Sequence, residues 1–446
     1  MKSEQQYIEL YEQCRTMICD HAPALMNDVR DQASDDFRSQ GFPSRKVERY
    51  KYTDMQKLFE PDYGLNLRRL NIPTNPYEAF RCDVPSLSTS LCFVVNDAFF
   101  PAHESPRGLP EDIIVGSIAD HPEIASAYYA RIAKTADDAV TALNTMLAQD
   151  ALLIYVPRNV QVARPLQVIN ILKSPSVQTP FMVNRRVLII LEEGAALKIL
   201  FCDHTADDCH FLTTQVTEVS VGERAQLDLY CLEETSRKNV RVSNVCINQQ
   251  ADSRVNHNVI TLTGGTTRNK LDLMLAGEGA ECGCYGCVIA DGQQHVDNNT
   301  LVVHHASHCT SNELYKYVLG NHATGAFAGR VLVEPGAQKT TSQMTNQNLT
   351  SSPQARMYTQ PMLEIYADDV KCAHGSTVGQ MDAAALFYMR QRGISEKEAR
   401  LLLQQAFVCE VIDKMELEPL RNRLHYLVDK RFRGELNKCR GCKLCG

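Results

Sequence analysis

A succession of short apolar or alternating segments fills the chain from about residue 151 to about residue 375. The segments read LLIYVP, LQVINIL, RVLIIL, LKILFC, QLDLYCL, VRVSNVCI, RVNHNVITLT, KLDLMLA, TLVVHH, ELYKYVL and RVLVEP. Their length, their β-branched content and the glycines between them are typical of β-strands, and no helical period separates them. A fold that alternates strands with helices is therefore disfavoured.

Three arrangements of about a dozen strands fit this pattern: a sandwich, a barrel and a β-solenoid. The spacing of the segments alone does not separate them. Several segments place polar residues between β-branched ones without strict alternation, which is expected where coils stack and only one face looks inward. This texture favours the solenoid.

Helical patterns flank the strand-rich part. Apolar residues recur at three and four residue spacing over 7–18, and a second helix is predicted over about 24–38, so the start of the chain is helical up to about Gly41. Residues 42–150 are mixed, because many prolines break any long element. We divide the chain into an N-terminal helical and mixed region (1–150), a β core (151–375) and a C-terminal helical region with a cysteine tail (376–446).

The C-terminal region carries readable helix caps. Asp382 suits an N-cap, and Gly393 suits the left-handed residue that ends the same helix. Ser395 and Glu398 form a capping-box pattern for a second helix, and a third is predicted over 418–431. One apolar face of the second helix comprises Leu402, Leu403, Ala406 and Phe407. Three short helices bury little surface alone, so they must pack on the β core, on a partner, or on both.

The composition indicates a soluble, cytoplasmic protein. The first residues, MKSEQQYIELYEQ, lack the apolar run of a secretory signal, and nowhere does an apolar stretch reach the roughly 18 residues of a membrane span. A net charge of -7 offers no general attraction for nucleic acid. The 17 cysteines are expected to be thiols in a reducing compartment, most of them as small buried side chains.

Sequence motifs of nucleotide-binding and hydrolytic enzymes are missing. No G-x-x-x-x-G-K-[ST] loop occurs, and the nearest run, GAQKT from Gly336, lacks the first glycine. No G-x-S-x-G nucleophile motif occurs either. A hydrolase of the G-x-S-x-G class is therefore excluded, and any ATP hydrolysis that drives the work of this protein must come from another subunit.

The extreme C-terminus holds a C-x2-C-x2-C run formed by Cys439, Cys442 and Cys445. This spacing lets several thiolates reach one metal ion or cluster, although it leaves one ligand position open. The alternative is a flexible tail whose basic residues lower the thiol pKa and favour oxidation.

A second dense group is Cys282-Gly-Cys284-Tyr-Gly-Cys287, with His304, His305, His308 and Cys309 one strand away. On a strand, Cys282 and Cys284 share a face while Cys287 does not, unless a turn at Gly286 intervenes, and this weakens the case for a metal site. Core packing of the solenoid is the favoured role for these thiols.

The stretch DDVKCAHGSTVGQMDAAALFYMRQRGISEKEARLLLQQAF (368–407) is long and specific. Together with segments 41–54, 142–160 and 294–350, which agree in the same order, it resembles the SufB and SufD family of the SUF iron–sulfur cluster assembly system. Within this family, Gly375 directly after His374 resembles the SufD branch, whereas the SufB branch usually carries glutamate there.

The resemblance implies a mainly β fold, in which a right-handed parallel β-helix lies between N-terminal and C-terminal α-helical regions. It implies a non-catalytic scaffold, not an enzyme, that pairs with a SufB paralogue and docks the SufC ATPase. It also implies no tightly bound cofactor and a transient iron–sulfur cluster at the SufB interface. We assign the SufC-docking surface to Leu386, Phe387, Leu402, Leu403 and Phe407. Whether the isolated chain forms a homodimer through the SufB-facing edge is left open.

Cys372 and His374 are the residues expected to carry chemistry. A thiolate and a neutral imidazole are both competent iron ligands, and two residues apart on a strand they point to the same face. Without the family pattern, a buried thiol beside a hydrogen-bonded histidine would be the simpler interpretation. By resemblance, His374 faces a cysteine of the SufB subunit across the interface where the cluster forms.

Two other classes of function compete with the scaffold. A β-helix polysaccharide lyase or hydrolase would need clustered carboxylates on an exposed strand face, which the sequence does not suggest. A stand-alone metal-binding or redox protein would use the CxCxxC and tail cysteines, and would hold iron and sulfide without partners.

Overall fold

Two β-sheets lie at the centre of the molecule, as seen in a computed structural model that describes residues 3–74, 76, 89–100, 108–176 and 178–436. The strands are β1 Ser90–Val95, β2 Ala98–Phe100, β3 Ile114–Ser117, β4 Leu152–Val156, β5 Leu166–Leu172, β6 Phe181–Leu191, β7 Ala196–Thr205, β8 Phe211–Val221, β9 Gln226–Glu234, β10 Val240–Gln249, β11 Arg254–Thr263, β12 Thr266–Leu275, β13 Glu281–Ala290, β14 His295–His304, β15 Thr310–Leu319, β16 Thr324–Val333, β17 Thr341–Thr350, β18 Arg356–Ile365 and β19 Lys371–Gly379. These strands are parallel except for the antiparallel pairs β1–β2 and β3–β4.

The chain alternates between the two sheets as it advances. One sheet has the order β19-β17-β15-β13-β11-β9-β7-β5-β1-β2, and the other has the order β18-β16-β14-β12-β10-β8-β6-β4-β3. From β4 onward each strand pairs in parallel with the strand two positions later, so every pair of consecutive strands completes one coil. The predicted β-solenoid is therefore confirmed over the sandwich and the barrel. Strands β1, β2 and β3 precede residue 151 yet join the same sheets.

Strand β13 shows how the alternation of side chains builds two separate cores. Cys282, Cys284 and Val288 point into the lumen of the solenoid and join its interior cluster. Tyr285 and Cys287 point outward, into a second cluster that the C-terminal helices cover. The sheet is buried on both faces, which explains why its strands lack a simple alternation of apolar and polar residues.

Helices occupy both ends of the chain, as predicted. Within the described residues they are α1 Ser3–Asp20, α2 Ala24–Asn27, α3 Arg30–Gln40, α4 Met55–Leu58, α5 Pro122–Ala125, α6 Ala139–Leu147, α7 Ala383–Gln391, α8 Glu396–Ile412 and α9 Glu418–Arg433. In that part of the chain no helix is both long and apolar enough to cross a membrane.

The predicted caps of the C-terminal helices are present. The Asp382 carboxylate accepts hydrogen bonds from the backbone N–H groups of Ala384 and Ala385, and Gly393 has a φ of 84°. The Ser395 hydroxyl accepts from the N–H of Glu398. These local signals fix where α7 begins, shortly after the last strand of the solenoid, where α7 ends and where α8 begins.

Candidate functional site

The solenoid has an open end at β18 and β19. Each is the last strand of its sheet, and each pairs on one side only within the described residues. The side chains of β19 are largely exposed, in contrast to the buried strands before it. Large apolar side chains exposed on or beside these strands are Tyr358, Ile365, Tyr366 and Val378. An unpaired strand edge of this kind presents free N–H and C=O groups to another chain.

Cys372 and His374 both lie on β19, two residues apart, and therefore share one face of the strand. Cys372 is opposite Ser342 of β17 and packs against the interior cluster, while His374 is opposite Met344 and is exposed. Burial raises the pKa of the Cys372 thiol, an effect partly offset by the backbone N–H of Ser342. The strand therefore presents one half-buried thiol and one accessible imidazole at the open end.

The register of the parallel strands places His374 at the end of a row of side chains, which we call the interior column. Each member is the Cα partner of the next across β11, β13, β15, β17 and β19. The members are His257, Cys284, Glu313, Met344 and His374. Only His374, at the open end, is exposed. The column brings together functional groups that are about one coil, or roughly 30 residues, apart in sequence.

Glu313 is the buried carboxyl of the interior column. Its Oε2 accepts a hydrogen bond from the Thr300 hydroxyl at 2.7 Å, and its Oε1 has no partner among the described residues. Burial raises the pKa of Glu313 to about 7. The side chain therefore holds a proton in the folded protein at pH values where an exposed glutamate is ionised.

We expect Glu313→Gln to flatten the pH dependence of stability. The folded-state pKa of about 7 exceeds the ordinary value of 4.5, so the folded state binds more protons between these values. The contribution of Glu313 is fully present below pH 4.5 and is lost as the pH rises through 7, by up to about 3 kcal/mol. The unfolding free energy of wild type minus that of the variant, measured in urea, should therefore fall as the pH rises from 5 to 8.

Comparing wild type with Glu313→Gln separates the effect of Glu313 on pH-dependent stability from the effects of other buried titratable groups. Glu233 also has a pKa raised to about 7 by burial, whereas burial lowers the pKa of His257 and His304 to about 4. These groups remain in both proteins, so their effects cancel in the difference. Parallel stability curves for wild type and Glu313→Gln would contradict the prediction.

The CxCxxC segment is divided between the two cores. Cys282 and Cys284 belong to the interior cluster, and Cys287 lies on the outer face of β13. The nearby histidines make local contacts: His304 Nε2 with the Ser311 hydroxyl, His305 with Glu334, and His308 with Glu278. Across the described ranges, no three His, Cys, Asp or Glu side chains are arranged to hold a metal ion. The tail residues Cys439, Cys442 and Cys445 lie outside those ranges.

Helix α8 is apolar on two faces. Its buried face, which packs towards β13 and β15, comprises Ala399, Leu401, Val408, Val411 and Ile412. The residues assigned to docking lie elsewhere: Leu402 and Phe387 are exposed, and Leu386 and Leu403 are half-buried. Phe407 packs at the margin of the outer cluster, with the Lys316 ammonium 4.5 Å from its ring centroid. An apolar surface thus remains on the C-terminal helices after they have packed on the sheet.

Sequence reasoning missed how segment 41–54 ties the N-terminal region to the solenoid. Arg49 pairs with Asp272 at 2.6 Å, and the Thr53 hydroxyl donates to Asp297 at 2.6 Å. Tyr52 stacks on Tyr358 of β18, with ring centroids 4.9 Å apart. The available signal was the agreement of this segment with the family pattern, although it lies far from the strands in sequence. These contacts reach β18 and so stabilise the open end of the solenoid.

Comparisons with known proteins agree with this architecture. The family model described as "SUF system FeS cluster assembly, SufBD core domain" matches residues 173–407, and the model of the SufBD protein N-terminal region matches residues 1–168. An iron–sulfur cluster assembly SufBD family protein of Synechocystis is 27% identical over 428 residues, covering 94% of this chain and 93% of the relative.

Two relatives carry the name iron–sulfur cluster assembly protein SufD. The Escherichia coli protein is 26% identical over 395 residues, covering 88% of this chain and 90% of its own length. The Bacillus subtilis protein is 24% identical over 344 residues, covering 75% and 77%. With both regions matched and the solenoid in place, the chain belongs to the SufB and SufD family of the SUF iron–sulfur cluster assembly system.

Proposed function

We propose that this chain is a non-catalytic scaffold subunit that pairs with a SufB paralogue through β18 and β19 and docks the SufC ATPase on its C-terminal helices. In this proposal, His374 lies beside the site where a transient cluster is assembled. The observation that carries the proposal is the open end of the solenoid, where both sheets terminate and where Cys372 and His374 are found.

The open end suits pairing with a related solenoid. A partner with the same coil geometry can continue both sheets by adding strands to β18 and β19, because main-chain hydrogen bonds supply affinity and flanking side chains supply specificity. Val378, which is 49% exposed, and Tyr366, which is 63% exposed, add apolar surface to that edge. In the absence of the paralogue, the same edge is expected to pair two copies of this chain.

Cys372 and His374 supply ligand chemistry suited to iron, which is here a substrate rather than a resident cofactor. The exposed imidazole is free to bind without moving the backbone. The Cys372 thiol has a raised pKa, so it stays protonated until a metal ion displaces the proton. A half-buried thiol and an accessible imidazole together favour transient rather than tight binding of a cluster.

The C-terminal helices offer a second, separate surface. Phe387, at 61% exposed, and Leu402 present apolar side chains to solvent on neighbouring helices. Clusters of this kind are typical of protein–protein contacts, in which a few aromatic and aliphatic anchors contribute most of the affinity. The chain carries no nucleotide-binding loop, so the ATPase activity belongs to the partner that binds there.

One co-purification experiment tests both surfaces. Tagged chain would be co-expressed with SufB and SufC as wild type, Val378→Lys and Phe387→Asp. A charge on the edge strand should remove SufB but retain SufC, and a charge on the helical surface should remove SufC but retain SufB. Each variant is the control for the other. Leu70→Lys should retain both partners, because Leu70 is exposed and follows Arg69, which pairs with Asp97 between β1 and β2 at the other end of the solenoid.

Two outcomes would contradict the proposal. Retention of SufB by Val378→Lys would show that the interface does not lie at the open end. Retention of SufC by Phe387→Asp would show that the docking surface does not lie on the exposed face of the C-terminal helices. Thermal unfolding of each purified variant separates loss of a partner from loss of the fold, because all three positions are exposed.

A further inference from the structure

Helices α8 and α9 bring together a thiol, an imidazole and a carboxylate outside the open end. The Cys409 sulfur is 3.1 Å from Nδ1 of His425, and Nε2 of the same ring is 2.9 Å from Oδ1 of Asp413. Cys409 and Asp413 are four residues apart at the end of α8, so both face α9, where His425 lies between them.

The two partners of His425 determine where its proton resides. An ionised carboxylate only accepts hydrogen bonds, so Nε2 carries the proton and donates it to Asp413. Nδ1 is then the accepting nitrogen, and the Cys409 thiol donates to it. This is the order in which a carboxylate orients an imidazole that acts as a base toward a nucleophile.

The arrangement does not suit a metal ion. The thiol and the carboxylate contact different nitrogens on opposite sides of the ring, so the three groups do not converge on one point. Solvent reaches the group, since Cys409 is only partly buried and the Asp413 side chain is 58% exposed. Burial, followed by the charge of Asp413, raises the pKa of Cys409. The thiol is therefore neutral at rest and needs a base at the moment of attack.

We propose that Cys409 is a thiol-modification site that reacts with hydroperoxides, with His425 as the base and Asp413 as the positioning residue. The Cys409 sulfur attacks one oxygen of hydrogen peroxide, so an S–O bond forms and the O–O bond breaks. The sulfur is oxidised to sulfenic acid, and the peroxide is reduced. Nδ1 of His425 takes the thiol proton and passes it to the departing hydroxide, which leaves as water.

The proposal is tested by the rate at which Cys409 loses its free thiol in dilute hydrogen peroxide. Full-length chain would be quenched at intervals, alkylated and analysed by peptide mass spectrometry, which counts sulfenic acid and any later disulfide together. Cys14, a partly buried cysteine on α1 with no imidazole partner in the described part of the chain, is the internal control. We expect Cys409 to react about tenfold faster than Cys14.

Substitution separates a reactive site from a contact that only joins two helices. His425→Gln keeps a polar side chain but removes the base, and should bring Cys409 to the rate of Cys14. Asp413→Asn alters an exposed side chain and should give an intermediate rate with an unchanged melting temperature. Equal rates for Cys409 and Cys14 in wild type, or an unchanged Cys409 rate in Asp413→Asn and His425→Gln, would overturn the proposal.

Discussion

Replacing His374 by alanine is expected to lower cluster assembly about tenfold while leaving the complex with SufB and SufC intact. The expectation rests on the exposure of this imidazole on the edge strand β19 and on its place beside Cys372. Because His374 is an accessible side chain and not a core residue, its truncation removes the proposed ligand without opening a cavity. Iron and acid-labile sulfide bound by the purified complex would measure the effect.

The matched control for that experiment is His322→Ala. His322 is also an exposed histidine, but it lies in the turn after β15 and not on the edge strand. It should leave both the yield of clusters and the composition of the complex unchanged. Full cluster content in His374→Ala would show that the histidine takes no part in cluster assembly. Dissociation of the complex would show that its role is structural.

The solenoid could be predicted largely because its interior is apolar in the segments that sequence analysis recognises. Strand β17 was not recognised in the sequence because most of its inward positions are polar. In β17, Asn346 and Asn348 are fully buried and hydrogen-bond to each other and to neighbouring strands. A periodicity argument based on apolar residues cannot find a strand whose buried face is satisfied by side-chain amides.

The candidate site was only partly predictable for a different reason. Cys372 and His374 are two residues apart in sequence, so the strand period alone places them on one face. Met344 and Glu313 belong to earlier coils, and the number of residues in each turn decides which of them lie opposite His374. The pairing of Cys409 with His425 likewise depends on how α8 and α9 cross. Such contacts follow from register and packing rather than from local pattern.

Glu218 on β8 is the centre of a fully buried network, and its substitution should have the largest effect on stability. Its carboxylate forms an ion pair with Arg186, and both side chains are inaccessible to solvent. It also accepts hydrogen bonds from the backbone N–H groups of Ala130, Ile132 and Ala133 at 2.9, 3.0 and 3.0 Å. One side chain thus holds the segment before α6 against the solenoid.

We expect Glu218→Gln to cost about 3–5 kcal/mol of unfolding free energy, measured as the shift of the urea midpoint at constant slope. The substitution keeps the shape of the side chain but leaves the Arg186 guanidinium buried without a counter-charge. The amide nitrogen of the new side chain would also face N–H groups that need an acceptor.

The control is Glu281→Gln, which breaks a 3.0 Å ion pair with Arg254 that is about half exposed, and should cost well under 1 kcal/mol. Equal shifts in the two variants would contradict the prediction. They would show that the buried ion pair and the three backbone hydrogen bonds of Glu218 contribute no more to stability than a half-exposed ion pair.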